Sequence, residues 1–306
     1  MKSKGNQVAT LATFDKPAPL AEHAPRVRRW RLQRFIRNRL SLIGLFMLLI
    51  LVFGALAGPA IARSWLGLEP NTLSCMSLEK PSGAHPLGCD PLGRDILARL
   101  LAGGRISLSV GVLVAVCTTV LGLVVGLSSG FFGGIVDSAL MRFTDTLLAM
   151  PTFFIVLAAA AFLGPSLFNT IIIIGLTQWM VSARLIRSEC LAIREREFII
   201  AARVSGQTNV GIMRHIMLNV MSIVIVVATL AVATGILTES ALSYLGLGIQ
   251  PPQASWGSML GGAQGYIFTA PMQGVYPGVL IVLTVLAVNF VGEGLREALD
   301  PRLAGR

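Results

Sequence analysis

Apolar residues run almost unbroken through residues 41–62, 106–130, 138–163, 166–183, 219–237 and 275–291, and the polar and charged residues collect between these runs. About 20 residues of helix cross the roughly 30 Å hydrocarbon layer of a bilayer. Each run therefore predicts a transmembrane helix, and together they predict an all-α integral membrane protein with six spans. The third and fourth runs are separated only by Gly164-Pro165, a turn that makes them an antiparallel hairpin. The fourth is the least apolar, with Asn169 and Gln178 inside it. The second carries small residues near every fourth position, at Gly111, Ala115, Thr118, Thr119, Gly122, Gly126 and Gly130. Such spacing strips bulk from one helix face and lets another backbone approach closely. It shows that helices pack there, not what they carry.

Composition agrees with the pattern. The chain is 54% hydrophobic and 13% charged, against about 25% charged in soluble domains, so one water-soluble core cannot hide its apolar surface. The net charge of +10 would suggest nucleic acid in a soluble protein, but here its placement matters more. Alternate segments hold 20 basic residues against five, all five lying in the loop 63–105. Short cytoplasmic loops are enriched in Lys and Arg, so both termini are read as cytoplasmic. The organisation is a tail (1–40), a first helix (41–62), an extracytoplasmic loop (63–105), a five-helix core (106–300) with a cytoplasmic loop (188–218), and a tail (301–306). Residues 26–40 hold seven arginines interleaved with Val27, Trp30, Leu32, Phe35 and Ile36. Beside a span this reads as an interfacial amphipathic helix on anionic lipid rather than a nucleic-acid site. Ala55-Leu56-Ala57 resembles a signal-peptidase site, but the hydrophilic stretch before the first run is too long for an n-region, so that helix is read as uncleaved.

Catalytic constellations are missing from the sequence. The four lysines, at 2, 4, 16 and 80, do not follow a glycine-rich loop, and no P-loop occurs. His23, His85 and His215 sit in different segments without metal-ligand spacing, and no nucleophile–base set is visible. Ionisable groups near the membrane are few: Arg142 and Asp145 can pair three residues apart on one helix face, and Glu239 ends the fifth run. An ion-coupled carrier more often places carboxylates near the midplane. A stand-alone channel or carrier remains the alternative to an externally powered transporter. Cys117 and Cys190 read as packing residues. Cys75 and Cys89 share the first external loop, where they are either two thiols or a disulfide worth roughly 3 kcal/mol of loop entropy. The stretch 244–260 contains Pro251-Pro252, which breaks any helix, and with Trp256, Tyr266 and Phe268 suits the membrane–water interface, lying on the surface or partly re-entrant.

Between two of the greasiest runs lies "EREFIIAARVSGQTNVGIMRHI", from Glu195. It reads as a short helix over 197–205, ended by Gly206, followed by a second helical stretch. A helix–Gly–helix elbow outside the membrane suits either docking into a partner's groove or lying on lipid. This segment resembles the EAA loop of ABC importer permeases. From His85 onward the chain is similar to the C-type membrane subunit of the dipeptide/oligopeptide/nickel permease group, through "HPLGCDPLGRDILARLLAGGRISLSVGV", "FFGGIVDSALMRFTDTLLAMP", "FIIAARVSG", "SYLGLGIQPPQASWGSML" and "NFVGEGLREALDPRL". The resemblance implies a type I ABC importer permease fold in the bacterial inner membrane, paired with a homologous B-type permease, two P-loop ATPase subunits that bind ATP and Mg, and an extracytoplasmic solute-binding protein. The chain itself would carry no cofactor. It further implies that Ala201, Ala202 and Gly206 form the ATPase-docking core, flanked by Glu197 and Arg203. Gly93, Arg94 and Asp95 would face the binding protein or brace the bundle. Within the group peptides are the commonest substrates, and selectivity resides largely in the binding protein. The sequence departs from the pattern at Ile200, where the EAA glutamate is expected, at Leu218 or Asn219, where a proline is expected, and at Cys89, where threonine is usual. The last favours a lineage-specific Cys75–Cys89 bridge.

Overall fold

The computed structural model describes residues 33–299. Residues 26–32 of the basic amphipathic stretch, with the rest of the N-terminal tail before them and the C-terminal tail, lie outside the described residues. Within them the chain is helical: α1 (Arg39–Leu66), α2 (Ile96–Phe132), α3 (Gly134–Ala149), α4 (Thr152–Leu163), α5 (Leu167–Arg194), α6 (Glu197–Val204), α7 (Asn209–Tyr244), α8 (Trp256–Gly262) and α9 (Met272–Leu299). Five of these, α1, α2, α5, α7 and α9, are long and apolar enough to cross a membrane. Side chains cap them where orphan N–H groups need partners: Asn38 accepts from Leu40 N, Asp95 from Ala98 N, Ser166 from Asn169 N and Thr208 from Gly211 N.

The third apolar run is not one straight helix. It divides into α3 and α4, which meet at 82°. Pro151 disfavours helical backbone at the residue before it, and Met150 accordingly turns extended, with φ −87° and ψ 136°. At 12 residues, α4 is about 18 Å long and cannot cross alone. The expected Arg142–Asp145 pair does not form either. Asp145 instead pairs with Arg184 of α5, because α3 lies against α5 and the carboxylate finds a guanidinium across the helix gap.

The small-residue face of α2 is where the bundle closes. A β-carbon at Gly122 would sit 2.6 Å from Ser182 Cβ, one at Gly126 2.5 Å from Ala183 O, and one at Gly130 2.7 Å from Cys190 Cβ. All three partners belong to α5. Nearer the other end the same face turns to α7, where Gly111 lies against Ile236 and Gly235 of α7 against Val114. Gly175 of α5 receives Cys117 in the same way. Lipid tails are as apolar as side chains, so this association draws on close packing rather than on a hydrophobic driving force. α1 stays peripheral, touching α9 through Gly44 and α2 through Gly58, with Phe46 and Phe53 exposed.

At the end that carries residues 67–95, α8 and the segment before it are tied inward. Trp256 is buried, not an interfacial anchor: its Nε1 donates to Leu100 O at 2.9 Å and its backbone N to Ser107 Oγ at 3.1 Å. A buried indole needs such a partner for its N–H, and α2 supplies one at the start of its small-residue face. Phe268 is exposed and Tyr266 half-buried. Glu239 is fully buried, and its Oε1 accepts from Ser243 Oγ and Ser255 Oγ, each at 2.7 Å. Overpacking a tight contact costs about 1–3 kcal/mol and sometimes more. Gly126→Leu should therefore lower the unfolding midpoint in detergent or abolish recovery of folded chain. Gly278→Ala, where a β-carbon meets nothing within 4 Å, should leave the midpoint unchanged or slightly higher.

A candidate coupling elbow and an adjoining cavity

The elbow begins where α5 stops at Arg194. Arg196 N returns to Ile193 O, and α6 starts at the next residue, Glu197. Ile199 is its anchor: fully buried, it joins Leu127, Ile186, Cys190, Ile193, Ile212, Ile216 and Val220 in one apolar cluster contributed by α2, α5 and α7. After α6 the chain reverses at Gly206, with φ 78°, a conformation that an L side chain resists. Gln207 N bonds to Ala202 O at 3.1 Å and Gly206 N to Arg203 O at 3.1 Å, satisfying carbonyls at the helix end. Gln207 then reaches His215 at 3.0 Å across the start of α7.

All five residues implicated at this site fall on α6 and its terminal turn. Glu197, Ala201, Arg203 and Gly206 are exposed and Ala202 is half-buried. Neither Glu197 nor Arg203 makes an ion pair among the described residues. The tip is also apolar: Val204 is 83% and Val210 78% exposed, and Ile200 and Phe198 are exposed beside them. The elbow is thus a short helix anchored by one buried isoleucine and presenting an apolar, charge-flanked tip.

Residues that the sequence did not single out hold the elbow's base. Asp137 of α3 accepts from Arg187 of α5 in bidentate fashion, Nε to Oδ1 and Nη2 to Oδ2, both at 2.5 Å. Ser129 also donates to Asp137. Arg194 Nη1 donates to Gly130 O at 3.1 Å, covering a carbonyl left over at the end of α2. Forked pairs of this kind fix geometry as well as energy. The only sequence signal for Asp137–Arg187 is opposite charge at the ends of two apolar runs, which does not identify partners 50 residues apart.

Between α2, α4, α5 and α7 lies a cavity of about 470 Å³, with Thr118, Phe153, Gln178, Thr234 and Thr238 among its lining residues and no ionisable side chain among them. Gln178 Nε2 donates to Thr238 Oγ1 at 2.9 Å, and Thr234 Oγ1 donates to Gln178 Oε1 at 3.2 Å. Gln178, one of the two polar residues that made the fourth run the least apolar, is thus a clasp between α5 and α7 at the cavity wall.

At the far end, Gly93, Arg94 and Asp95 form a braced turn. Gly93 has φ 79° and its β-face is closed by the Cys75 carbonyl. Arg94 Nε donates to Asp90 Oδ2 at 2.7 Å, and Asp95 both caps α2 and meets His85 Nδ1 at 2.9 Å. A disulfide joins Cys75 to Cys89, with their Cα atoms 6.4 Å apart, within the span such bonds take.

Residues 122–305 match the family model described as the binding-protein-dependent transport system inner membrane component, and residues 28–72 match the N-terminal TM domain of oligopeptide transport permease C. A protein of Brucella ovis provisionally named a peptide permease is 41% identical over 274 residues, covering 88% of this chain and 89% of the relative. The dipeptide transport system permease protein of Alkalihalophilus pseudofirmus is 36% identical over 281 residues, covering 90% and 91%. A Brucella abortus protein provisionally named as a peptide transport system permease is 37% identical, covering 89% and 90%. The matched segment holds the elbow, the Asp137–Arg187 base and most of the cavity wall, and the chain belongs to the family of binding-protein-dependent transport system inner membrane components.

Proposed function

We propose that the chain is one membrane subunit of an ATP-driven importer of di- or oligopeptides in the bacterial inner membrane. In this reading it forms half of a translocation pathway, with a homologous permease subunit supplying the other half. Two ATPase subunits dock on the elbow from the cytoplasm, and a solute-binding protein delivers substrate from outside. The bent pair α3–α4 counts as one pass, which gives six, with both termini cytoplasmic. The peptide assignment rests on the relatives' names; the coupling role rests on the elbow. The observation that carries it is the exposed tip of α6 on an anchor, Ile199, that is fully buried between α5 and α7. In this reading, force applied at the tip reaches both helices that wall the cavity through the packing of Ile199, as a switch between two packed states requires.

The elbow is tested by two substitutions. Gly206→Trp places a bulky L residue at φ 78° and should abolish ATPase co-purification while the chain still inserts. Val204→Glu leaves the turn intact, since Val204 is 83% exposed, and should weaken ATPase association at least tenfold. Unchanged assembly and ATP-dependent uptake in both variants would remove the elbow from coupling. Uptake by reconstituted chain without any ATPase would favour the stand-alone carrier instead.

The cavity is tested by Thr234→Cys. In the assembled transporter, labelling of this cysteine by a small water-soluble thiol reagent should change several-fold between the resting complex and the complex trapped with ATP and vanadate. The native chain, labelled in parallel, supplies the background from Cys117 and Cys190. Equal labelling in both states would place Thr234 outside the moving pathway.

A further inference from the structure

The loop before α2 holds a cluster that the proposed coupling does not use. The sulfurs of Cys75 and Cys89 and a ring nitrogen of His85 all lie within 4.8 Å of one another. Cys89 and His85 are buried and Cys75 is half-buried. Their backbones are fixed independently: Cys89 N donates to Glu79 O at 2.9 Å, Gly88 N to His85 O at 2.9 Å, and Cys75 N to Gly93 O at 3.3 Å. The cluster is therefore not a chance meeting of loose side chains.

A second feature points to a ligand. Asp95 is fully buried, and its Oδ2 sits 2.9 Å from His85 Nδ1 while its Oδ1 accepts from Ala98 N. A carboxylate there holds the imidazole proton on Nδ1, which leaves Nε2 as the nitrogen with a lone pair to offer. His85 Nε2 makes no hydrogen bond among the described residues. Carboxylate–histidine pairs of this kind orient metal-binding imidazoles and raise their basicity. Two thiolates and one imidazole select a borderline-soft d¹⁰ cation such as Zn²⁺, with the fourth tetrahedral position left for solvent. Adjacent ligand atoms in such a site stand about 3.5–3.8 Å apart, given Zn–S near 2.3 Å and Zn–N near 2.0 Å. Small side-chain rotations bring the three groups to that spacing once the cysteines are not bonded to each other.

We propose that Cys75, His85 and Cys89 form a redox-gated metal site. In the oxidised form the two sulfurs share a disulfide and the site is closed. A dithiol reductant transfers two electrons and two protons: the S–S bond breaks, two thiols form on the protein, and the reductant becomes a disulfide. A Zn²⁺-class cation then displaces the two thiol protons, which leave to water, and binds both thiolates with His85. Two thiolates cancel the cation's charge, so the closed loop gains no net charge on metallation. Either form clamps the loop whose Cys89 carbonyl accepts from Gln273 Nε2 of α9 at 2.7 Å.

The test uses the full chain in detergent, titrated with Cd²⁺ as the spectroscopic probe. After treatment with a dithiol and its anaerobic removal, the native chain should bind one Cd²⁺ with a thiolate-to-metal charge-transfer band, and Zn²⁺ should displace it. The same chain kept oxidised should show no band. Reduced Cys75→Ser should lose stoichiometric binding although Cys117 and Cys190 remain. His85→Gln should weaken affinity by more than the about ten- to a hundredfold that loss of an outer-shell partner costs, while a thiolate band persists. A reduced native chain without stoichiometric binding, or binding that survives oxidation or Cys75→Ser, overturns the proposal. If His85→Gln does not fold, the comparison of oxidised, reduced and Cys75→Ser chains decides alone.

Discussion

The close backbone approach of α2 to α5 is the constraint on which the rest of the molecule depends. In lipid, helices gain nothing by hiding apolar surface from one another, so they associate where their surfaces fit. Gly122, Gly126 and Gly130 remove the side chains that would hold α5 away, and Ser182, Ala183 and Cys190 fill the space. That separation sets the reach of everything beyond it. Arg194 extends to the carbonyls of Gly130 and Phe131 only because α5 ends beside the last turn of α2. Asp137, just past the Gly133–Gly134 bend, meets Arg187 for the same reason. The cluster around Ile199 is likewise a product of spacing, since Leu127 comes from α2 and Ile186 from α5.

Polar residues sit mainly at the two ends and on one wall of the cavity, and they do different work in each place. At the loop end, Glu239, Ser243, Ser255, Ser107 and Trp256 form a buried hydrogen-bonded knot joining α2, α7 and α8. At the elbow end, charge pairs take over, with Asp137–Arg187 and Asp145–Arg184 fastening α3 to α5. Between them the cavity wall carries hydroxyls and one amide, but no charge among its lining residues. Fixed charge in such a wall would bind one class of solute and delay its release. In the proposed importer, a neutral wall with hydrogen-bonding capacity would suit passage of varied solutes.

Much of this architecture was legible in the sequence, and the misses have physical causes. Helical apolar runs and the four-residue spacing of glycines report directly on spans and on a packing face, because both follow from helix geometry. Hydropathy does not report direction, so the 82° bend at Met150-Pro151 was hidden inside a continuous apolar run despite the proline. The i,i+3 spacing of Arg142 and Asp145 permits a pair but says nothing of Arg184, which a neighbouring helix brings closer. Trp256 looked like an interfacial aromatic because a tryptophan beside a broken helix is ambiguous until a partner for its N–H is known. At the elbow, sequence pattern marked Gly206 and the small pair at Ala201-Ala202, but not Ile199, whose burial depends on three helices meeting.

The two departures from the EAA pattern also take a physical meaning in the fold. Ile200 lies exposed beside Val204 and Val210, so where the motif has a carboxylate this elbow offers apolar area. If the proposed docking holds, such a face would draw its affinity from desolvated contact rather than from an ion pair, and would be less sensitive to salt. Around Leu218 and Asn219, where a proline is expected, α7 continues without interruption from Asn209 to Tyr244. Asn219 Nδ2 donates to His215 O at 2.8 Å, keeping the side chain within the helix's own hydrogen-bonding. Proline at that point would remove a backbone bond and kink the helix. Without it, one stiff element of 36 residues, about 54 Å long, joins the turn at Gly206 to the buried Glu239 knot. In the proposed coupling, a displacement at the elbow would be carried to the opposite end of the bundle by this single helix, and the cavity wall at Thr234 and Thr238 lies along its path.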